Sequence, residues 1–219
     1  MEFVIKNAIV KLGPSFSHTI VCGNVNYGLI KQICDSISPN IKIIKMNANN
    51  ITINDYNNFF YDIGFWNLFQ GNKVLIYQED SIIFKNNIEN FLQYDYIGAP
   101  WYLEKMDYPC VGNGGFSLRN PKLMIDILSD TSNFNKYSNS TSKKHTSGVM
   151  LDHIAEDSFF SICLFKLRVG NIPDPITATY FSTETIVNAE SFGGHQFWYN
   201  DKNWTARVNK LIEEYKGMK

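Results

Sequence analysis

A chain of 219 residues, 44% of them hydrophobic and with a formal net charge of −1, is long enough for one sizeable core, burying about 70% of the surface its unfolded form exposes. That charge balance excludes the concentrated basic footprint of a duplex-binding protein, so nucleic acid is not an expected partner. No run approaches the ~18 apolar residues of a membrane span, "MEFVIKNAIVKLG" at the start lacks a signal-peptide core, and the four cysteines form no CxxC pair, which together predict a soluble protein of the reducing cytoplasm, without a membrane span.

The predicted elements alternate at first. Residues 2–12 read as a short amphipathic helix and "HTIVCG" (18–23) as a strand. "NYGLIKQICDSI" (26–37) places Leu29, Ile30, Ile33 and Ile37 on one side of a helix. "IKIIKM" (41–46) is a strand. "TINDYNNFFYDIGFWNLFQG" (52–71) predicts one longer helix, with Thr52 or Asn54 as cap and Gly71 just past its end. "KVLIYQ" (73–78) returns to strand. The alternation predicts an α/β fold: a Rossmann-type sandwich with a mostly parallel central sheet and helices on both faces. Ligands of such sheets bind beyond the carboxyl ends of the strands.

The remainder is less regular. A short helix at 86–93 precedes a strand in "YDYIGAPW" (94–101), then a glycine-rich turn leads into a strand in "GNGGFSLR" (112–119). "NPKLMIDILSD" (120–130) predicts a helix with Asn120 as N-cap and Pro121 in its first position. Residues 131–148 are polar, rich in Ser and Asn and without periodicity, and predict a mobile loop, either a lid or disordered. An aromatic-rich helix spans 152–168, and a charged helix closes the chain at 209–219. With no repeat and no linker, residues 1–219 read as a single domain.

Four short stretches carry chemistry. Gln78-Glu79-Asp80 ends an apolar strand, and a strand-terminal Asp is a natural oxygen ligand for Mg²⁺ or Mn²⁺; the bland alternative is a pair of solvated turn acids. Gly112, Gly114 and Gly115 crowd one turn, where glycine lets backbone approach a ligand closely. Their spacing fits neither a P-loop nor a GxGxxG fingerprint, and a plain tight turn is the alternative. Glu156 and Asp157 open a helix, where acids complement the macrodipole and where a carboxylate beside a cleft serves as a general base. His195 follows two glycines and precedes aromatics; neutral imidazole suits Mn²⁺, although a lone histidine is more often structural.

Taken in order, these stretches resemble the landmarks of GT-A-type glycosyltransferases: the DxD motif, the glycine loop, the xED motif and the C-terminal histidine. "YQEDSIIF", "YDYIGAPW", "GNGGFSLR" and "EDSFF" together look like a group of predicted GT-A-like glycosyltransferases of bacteria and large DNA viruses, over about Val74 to Trp198. The resemblance implies metal-dependent transfer of a sugar from a UDP- or GDP-linked nucleotide-sugar to a hydroxyl of a glycan or other acceptor. It implies Asp80 and His195 as ligands of Mn²⁺ or Mg²⁺. Gln78, Glu79, Gly114 and Gly115 would shape the donor and acceptor sites, with Trp101 as a stacking floor. Asp157 would be the base, and Glu156 would orient it or hold an acceptor hydroxyl. Residues 1–80 would form the nucleotide-sugar-binding half and 81–219 the acceptor and catalytic half.

Two departures stand out. Gln78 occupies the place of the motif's first Asp, and the chain opens on the helix that follows the first strand of a GT-A domain. A missing first strand would leave a sheet edge for a second copy to cover, so a homo-oligomer is among the expectations. The alternative reading is a GT-A-like domain that binds a nucleotide or glycan without turnover. A nucleotidyltransferase, or a hydrolase built on Glu156 and Asp157, ranks behind both.

Overall fold

The structure, a computed structural model, describes residues 1–104, 110–139 and 148–216. Helix α1 (Glu2–Leu12) buries Val4, Ile5, Ala8 and Leu12 at helical spacing and ends at Gly13, whose φ of 76° suits glycine. Strand β1 (Thr19–Cys22), helix α2 (Tyr27–Ile37) and strand β2 (Lys42–Lys45) form a parallel unit, in register from Thr19↔Lys42 to Cys22↔Lys45. Ile30 and Cys34 of α2 pack with Ile20 and Cys22 of β1.

The single helix expected over 52–71 is two: α3 (Ile53–Phe60) and α4 (Ile63–Trp66). A capping box between Thr52 and Asp55 starts α3. Asp62 then turns extended, and its carboxylate accepts the Gly64 N–H at 2.8 Å, starting α4 on a new axis.

Strand β3 (Val74–Tyr77) is followed by β4 (Ser81–Ile83), a 3₁₀ turn at Ile88–Phe91, β5 (Tyr96–Gly98) and β6 (Phe116–Arg119). The α/β class is as expected, but the mostly parallel central sheet is not. β6 lies between β3 and β5 and is antiparallel to both. The connection from β5 to β6 carries no crossover helix among its described residues, and a parallel pair needs one. Late in the chain β7 (Ser182–Thr183) and β8 (Gly193–His195) pair in parallel, and β4 runs antiparallel to β8. β3, from the first expected half, is thus hydrogen-bonded to β6 from the second.

Helix α5 (Pro121–Ser129) starts as expected, with the Asn120 side chain accepting the Lys122 and Leu123 N–H groups. Residues 131–137 are not the expected loop. They form α6 (Thr131–Tyr137), capped by Asp130 and held by the Phe134 ring against Tyr61 and Phe159. The rest of that expected loop falls largely outside the described residues, at 140–147. Helix α7 (Glu156–Leu167) begins four residues later than the pattern suggested, α8 (Pro175–Phe181) was not anticipated, and α9 (Trp204–Lys216) begins earlier than expected. No helix among the described residues is long and apolar enough to cross a membrane, and the four cysteines are buried thiols.

β6 shows how the core is divided. Phe116 and Leu118 point into a cluster with Ala8, Leu12, Phe181 and Phe192. Arg119 points to the other face, among Phe60, Trp66, Tyr96 and Phe160. Among the described residues, β1 and β3 each pair along one edge only. Thr19–Val21 and Val74–Tyr77, without skipping a residue, line one cavity of about 970 Å³. Successive side chains alternate between faces, so it is the free strand edges that meet this space, and the sheet is interrupted there.

A carboxylate ties the β5 end to its neighbours. Asp95 accepts hydrogen bonds from Lys73 Nζ, Asn120 Nδ2 and the Asn171 N–H, each at 2.9 Å. Burial raises its pKa, but these donors outweigh burial and hold it below the ordinary value. A depressed folded pKa gives stability that is complete above the unfolded value and lost as pH falls through the folded one. Asp95→Asn is therefore expected to cost about 1–2 kcal/mol at pH 7, with the gap to wild type narrowing in acid. Urea midpoints at pH 7 and pH 3 check this; a gap independent of pH would refute it.

Candidate functional site

The residues given a role by the resemblance line the same cavity: Gln78, Glu79, Asp80, Trp101, Gly114, Gly115, Glu156, Asp157 and His195; Gly112, from the same glycine turn, is not among its lining residues. Tyr56, Phe59, Phe60 and Phe65 from α3 and α4 add an aromatic wall. Glu79 is exposed, whereas Gln78 and Asp80 are half-buried.

Residues 80 and 195 meet because β4 pairs with β8, which sets Ser81 opposite His195. His195 Nε2 lies 3.0 Å from Gln78 Oε1 and 3.3 Å from Asp80 Oδ1. Its Nδ1 lies 2.9 Å from Glu184 Oε1. Burial alone would lower the imidazole pKa; Asp80 and Glu184 outweigh it and push it up to about 9. Burial raises the Asp80 carboxyl, but His195 and Gln196 bring it below the ordinary value. Gln196, in a left-handed conformation (φ 46°), donates Nε2–H to Asp80 Oδ2 at 2.8 Å.

The glycine turn is bolted to the same place. The Gln78 N–H and Ser81 Oγ both donate to the Gly115 carbonyl, at 2.9 and 3.0 Å, and Tyr56 OH donates to the Gly114 carbonyl at 2.7 Å. A Cβ on Gly115 would fall 2.3 Å from His195 Nε2, so only glycine lets the imidazole lie against this turn. The Trp101 ring edge packs over Gly112.

The two acids of the xED-like stretch separate in role. Asp157 lines the cavity; its Oδ1 accepts the Ser158 N–H at 2.7 Å. Burial pushes the Asp157 carboxyl above its ordinary range, offset only in part by Ser158 and Arg119. Glu156 is 3% exposed, and both its oxygens are taken by the Arg119 guanidinium, Oε1 at 2.9 Å from Nη2 and Oε2 from Nη1. Each Glu156 oxygen keeps a second lone pair beside its Arg119 bond, and Glu156 also lines the cavity. Arg119 Nη2 also donates to the Asn113 carbonyl at 3.2 Å, joining the glycine turn to the start of α7.

Sequence reasoning missed Glu184, Asn113, Gln196 and Arg119. Asn113 and Arg119 stood within the quoted glycine stretch, and Gln196 followed the chosen histidine. No local signal marks Glu184, which β7 delivers through pairing with β8.

The donor set fits a divalent cation in chemical type. Asp80 Oδ1 is buried, has no hydrogen-bond donor of good geometry among the described residues and lies 3.3 Å from His195 Nε2; together with Gln78 Oε1 and His195 Nε2 it offers two oxygens and an imidazole. Among the described residues, no group of three or more His, Cys, Asp and Glu side chains is arranged to hold a metal ion. A cation here would complete its shell with water, or with oxygens of a bound phosphate group, as Mg²⁺ commonly does.

A family model described as "Protein of unknown function (DUF5672)" matches residues 40–195. The match runs from just before β2 to the last residue of β8 and contains every cavity residue discussed above between Gln78 and His195. No curated protein and no solved structure matches the chain.

Proposed function

We propose, for a chain that belongs to the DUF5672 family, the activity of a metal-dependent glycosyltransferase that moves a sugar from a nucleotide-sugar to an acceptor hydroxyl. The observation that carries this reading is the convergence of Asp80, Gln78 and His195 on a cavity that Asp157 also lines. Asp80, Gln78 and His195 would hold Mn²⁺ or Mg²⁺. Such a cation supplies Lewis-acid neutralisation of the charge on a departing diphosphate.

The chain's own residues do the rest. The turn at Gly114 and Gly115 forms a wall without side chains, against which donor and acceptor approach one another. Trp101 offers an aromatic face to a sugar. Asp157 takes the proton from the acceptor hydroxyl as its oxygen bonds to the anomeric carbon and the bond from that carbon to phosphate breaks. A base in this role favours inversion of configuration.

A second reading, a nucleotide- or glycan-binding domain without turnover, is favoured by Gln78, a neutral amide within the acidic motif. One set of measurements separates the two. Nucleotide-sugars are screened with Mn²⁺ for donor hydrolysis, and UDP and GDP binding is followed by calorimetry with and without Mn²⁺. Transferase activity predicts hydrolysis of at least one donor, reduced about 10²- to 10³-fold in Asp80→Ala with the fold retained. Binding that ignores the metal, with no donor hydrolysed, supports the second reading. Undiminished turnover in Asp80→Ala rules out the metal site.

A further inference from the structure

We propose that Glu184 is a positioning residue that presents His195 Nε2 to the cation site, and that Asn113 ties this action to the glycine turn. The inference rests on the metal-dependent reading above.

Strand register sets the geometry. β7 and β8 pair in parallel, Ser182↔Gly193 and Thr183↔Gly194, so the next step along both chains brings residue 184 beside residue 195. The two glycines permit this approach, since a Cβ on Gly194 would fall 2.7 Å from Thr183 Cγ2 and one on Gly193 2.4 Å from the Phe116 ring. Glu184 Oε1 then sits 2.9 Å from His195 Nδ1. A carboxylate only accepts at this distance, so Nδ1 carries the proton. Nε2 is left facing Gln78 Oε1 and Asp80 Oδ1. A ligating histidine is commonly oriented in this way, with a carboxylate on the far nitrogen fixing the ring and its tautomer.

The other Glu184 oxygen is also committed. Asn113 Nδ2 donates to Oε2, while Asn113 Oδ1 accepts the N–H groups of Gly115 and Phe116, both at 2.7 Å. A single run of hydrogen bonds thus leads from the glycine turn through Asn113 and Glu184 to the imidazole. Gly115 closes against the ring from the turn side. The ion pairs described for Glu184 include no Lys or Arg; its partner is the His195 ring.

The donor and acceptor order along this run makes the proposal testable. Mn²⁺ alone is titrated into wild type, Glu184→Ala and Glu184→Gln, with free Mn²⁺ read by electron paramagnetic resonance. Glu184→Ala is expected to weaken Mn²⁺ binding about 10- to 100-fold. ¹⁵N NMR of the metal-free proteins, at a pH where the ring is neutral, should show His195 protonated on Nδ1 in wild type and as mixed tautomers in the variant. Glu184→Gln sets its amide nitrogen against Asn113 Nδ2, two donors face to face. Adding Asn113→Asp restores an acceptor there, so the double variant should bind Mn²⁺ more tightly than Glu184→Gln alone.

Equal Mn²⁺ affinity and an unchanged tautomer in Glu184→Ala would overturn the role of Glu184 while leaving the cation site standing. Should Glu184→Ala fail to fold, the order of Glu184→Gln and its double variant decides, and no recovery in the double counts against the proposal. A wild-type protein that binds no Mn²⁺ removes the metal-dependent reading, and this inference with it.

Discussion

Asp157→Asn is expected to lower the turnover number for sugar transfer about 10²- to 10⁴-fold and to leave the protein at least as stable as wild type at pH 7. The two halves of this expectation have one cause. Burial raises the Asp157 carboxyl pKa in the folded state. A carboxyl raised in this way stabilises the fold fully below its unfolded pKa, and that contribution disappears as pH rises through the folded one. At neutral pH the buried charge is therefore a cost, and an amide does not carry it. The amide of the variant keeps an oxygen for the Ser158 N–H, so the first turn of α7 retains its local bond. What the amide cannot do is take a proton.

A raised pKa also makes the carboxylate a stronger base, and it moves the acid limb of the rate profile. Activity of the wild type should climb with pH as Asp157 loses its proton, with the rise centred above the ~3.9 of an ordinary aspartate. The residual rate of the variant should lack that limb. Turnover measured across pH with thermal melts of both proteins checks the set. A variant that melts early and keeps its acid limb would show Asp157 to be a helix-start acid and nothing more.

The legible parts of this chain are those where local chemistry decides the conformation. Asn120 followed by Pro121 announced α5, and the apolar spacing of residues 2–12 announced α1. The same signal, Asp174 followed by Pro175, opens α8 and was available to be read: Asp174 accepts the Thr177 N–H at 3.0 Å. Asp62 likewise marked the break between α3 and α4. Helix α6 is different, because its polar sequence has little helical pattern and its Phe134 is held by rings from α7 and from the α3–α4 junction that no local window contains. The sheet failed as an expectation for a related reason. Strand identity is local, but the insertion of β6 between β3 and β5, and the gap between β1 and β3, are decided by long-range pairing. Of the residues around the cavity, Asn113, Arg119 and Gln196 lay in or beside the quoted motifs but show their part only through partners distant in sequence, and Glu184 depends on the β7–β8 register that no local window contains.

Arg119→Ala is expected to destabilise the fold by about 3–5 kcal/mol, the largest stability effect of any single change considered. The guanidinium is fully buried, 4.7 Å from the Phe60 ring centroid and 5.0 Å from that of Tyr96, and pairs with Glu156 through both nitrogens. Burial pushes the Glu156 carboxyl up despite this partner. Removing Arg119 therefore leaves either a buried lone charge or an acid that must take up a proton, inside an aromatic cage. It also removes the donors to Ser117 Oγ and the Asn113 carbonyl. Arg119→Met with Glu156→Leu removes both charges and fills the space with apolar groups that Phe60, Trp66 and Phe160 can pack against, so most of the lost stability should return. Activity should not return with it, because the Asn113 carbonyl and the start of α7 no longer share a clamp, and the glycine turn and Asp157 are then free to drift relative to one another. Urea denaturation of the single and double variants, with donor hydrolysis measured on the double, checks both claims. A loss below about 1 kcal/mol in Arg119→Ala would mean the pair is as weak as a surface bridge, and full activity in the refolded double variant would deny Arg119 any part in holding the two sides of the cavity together.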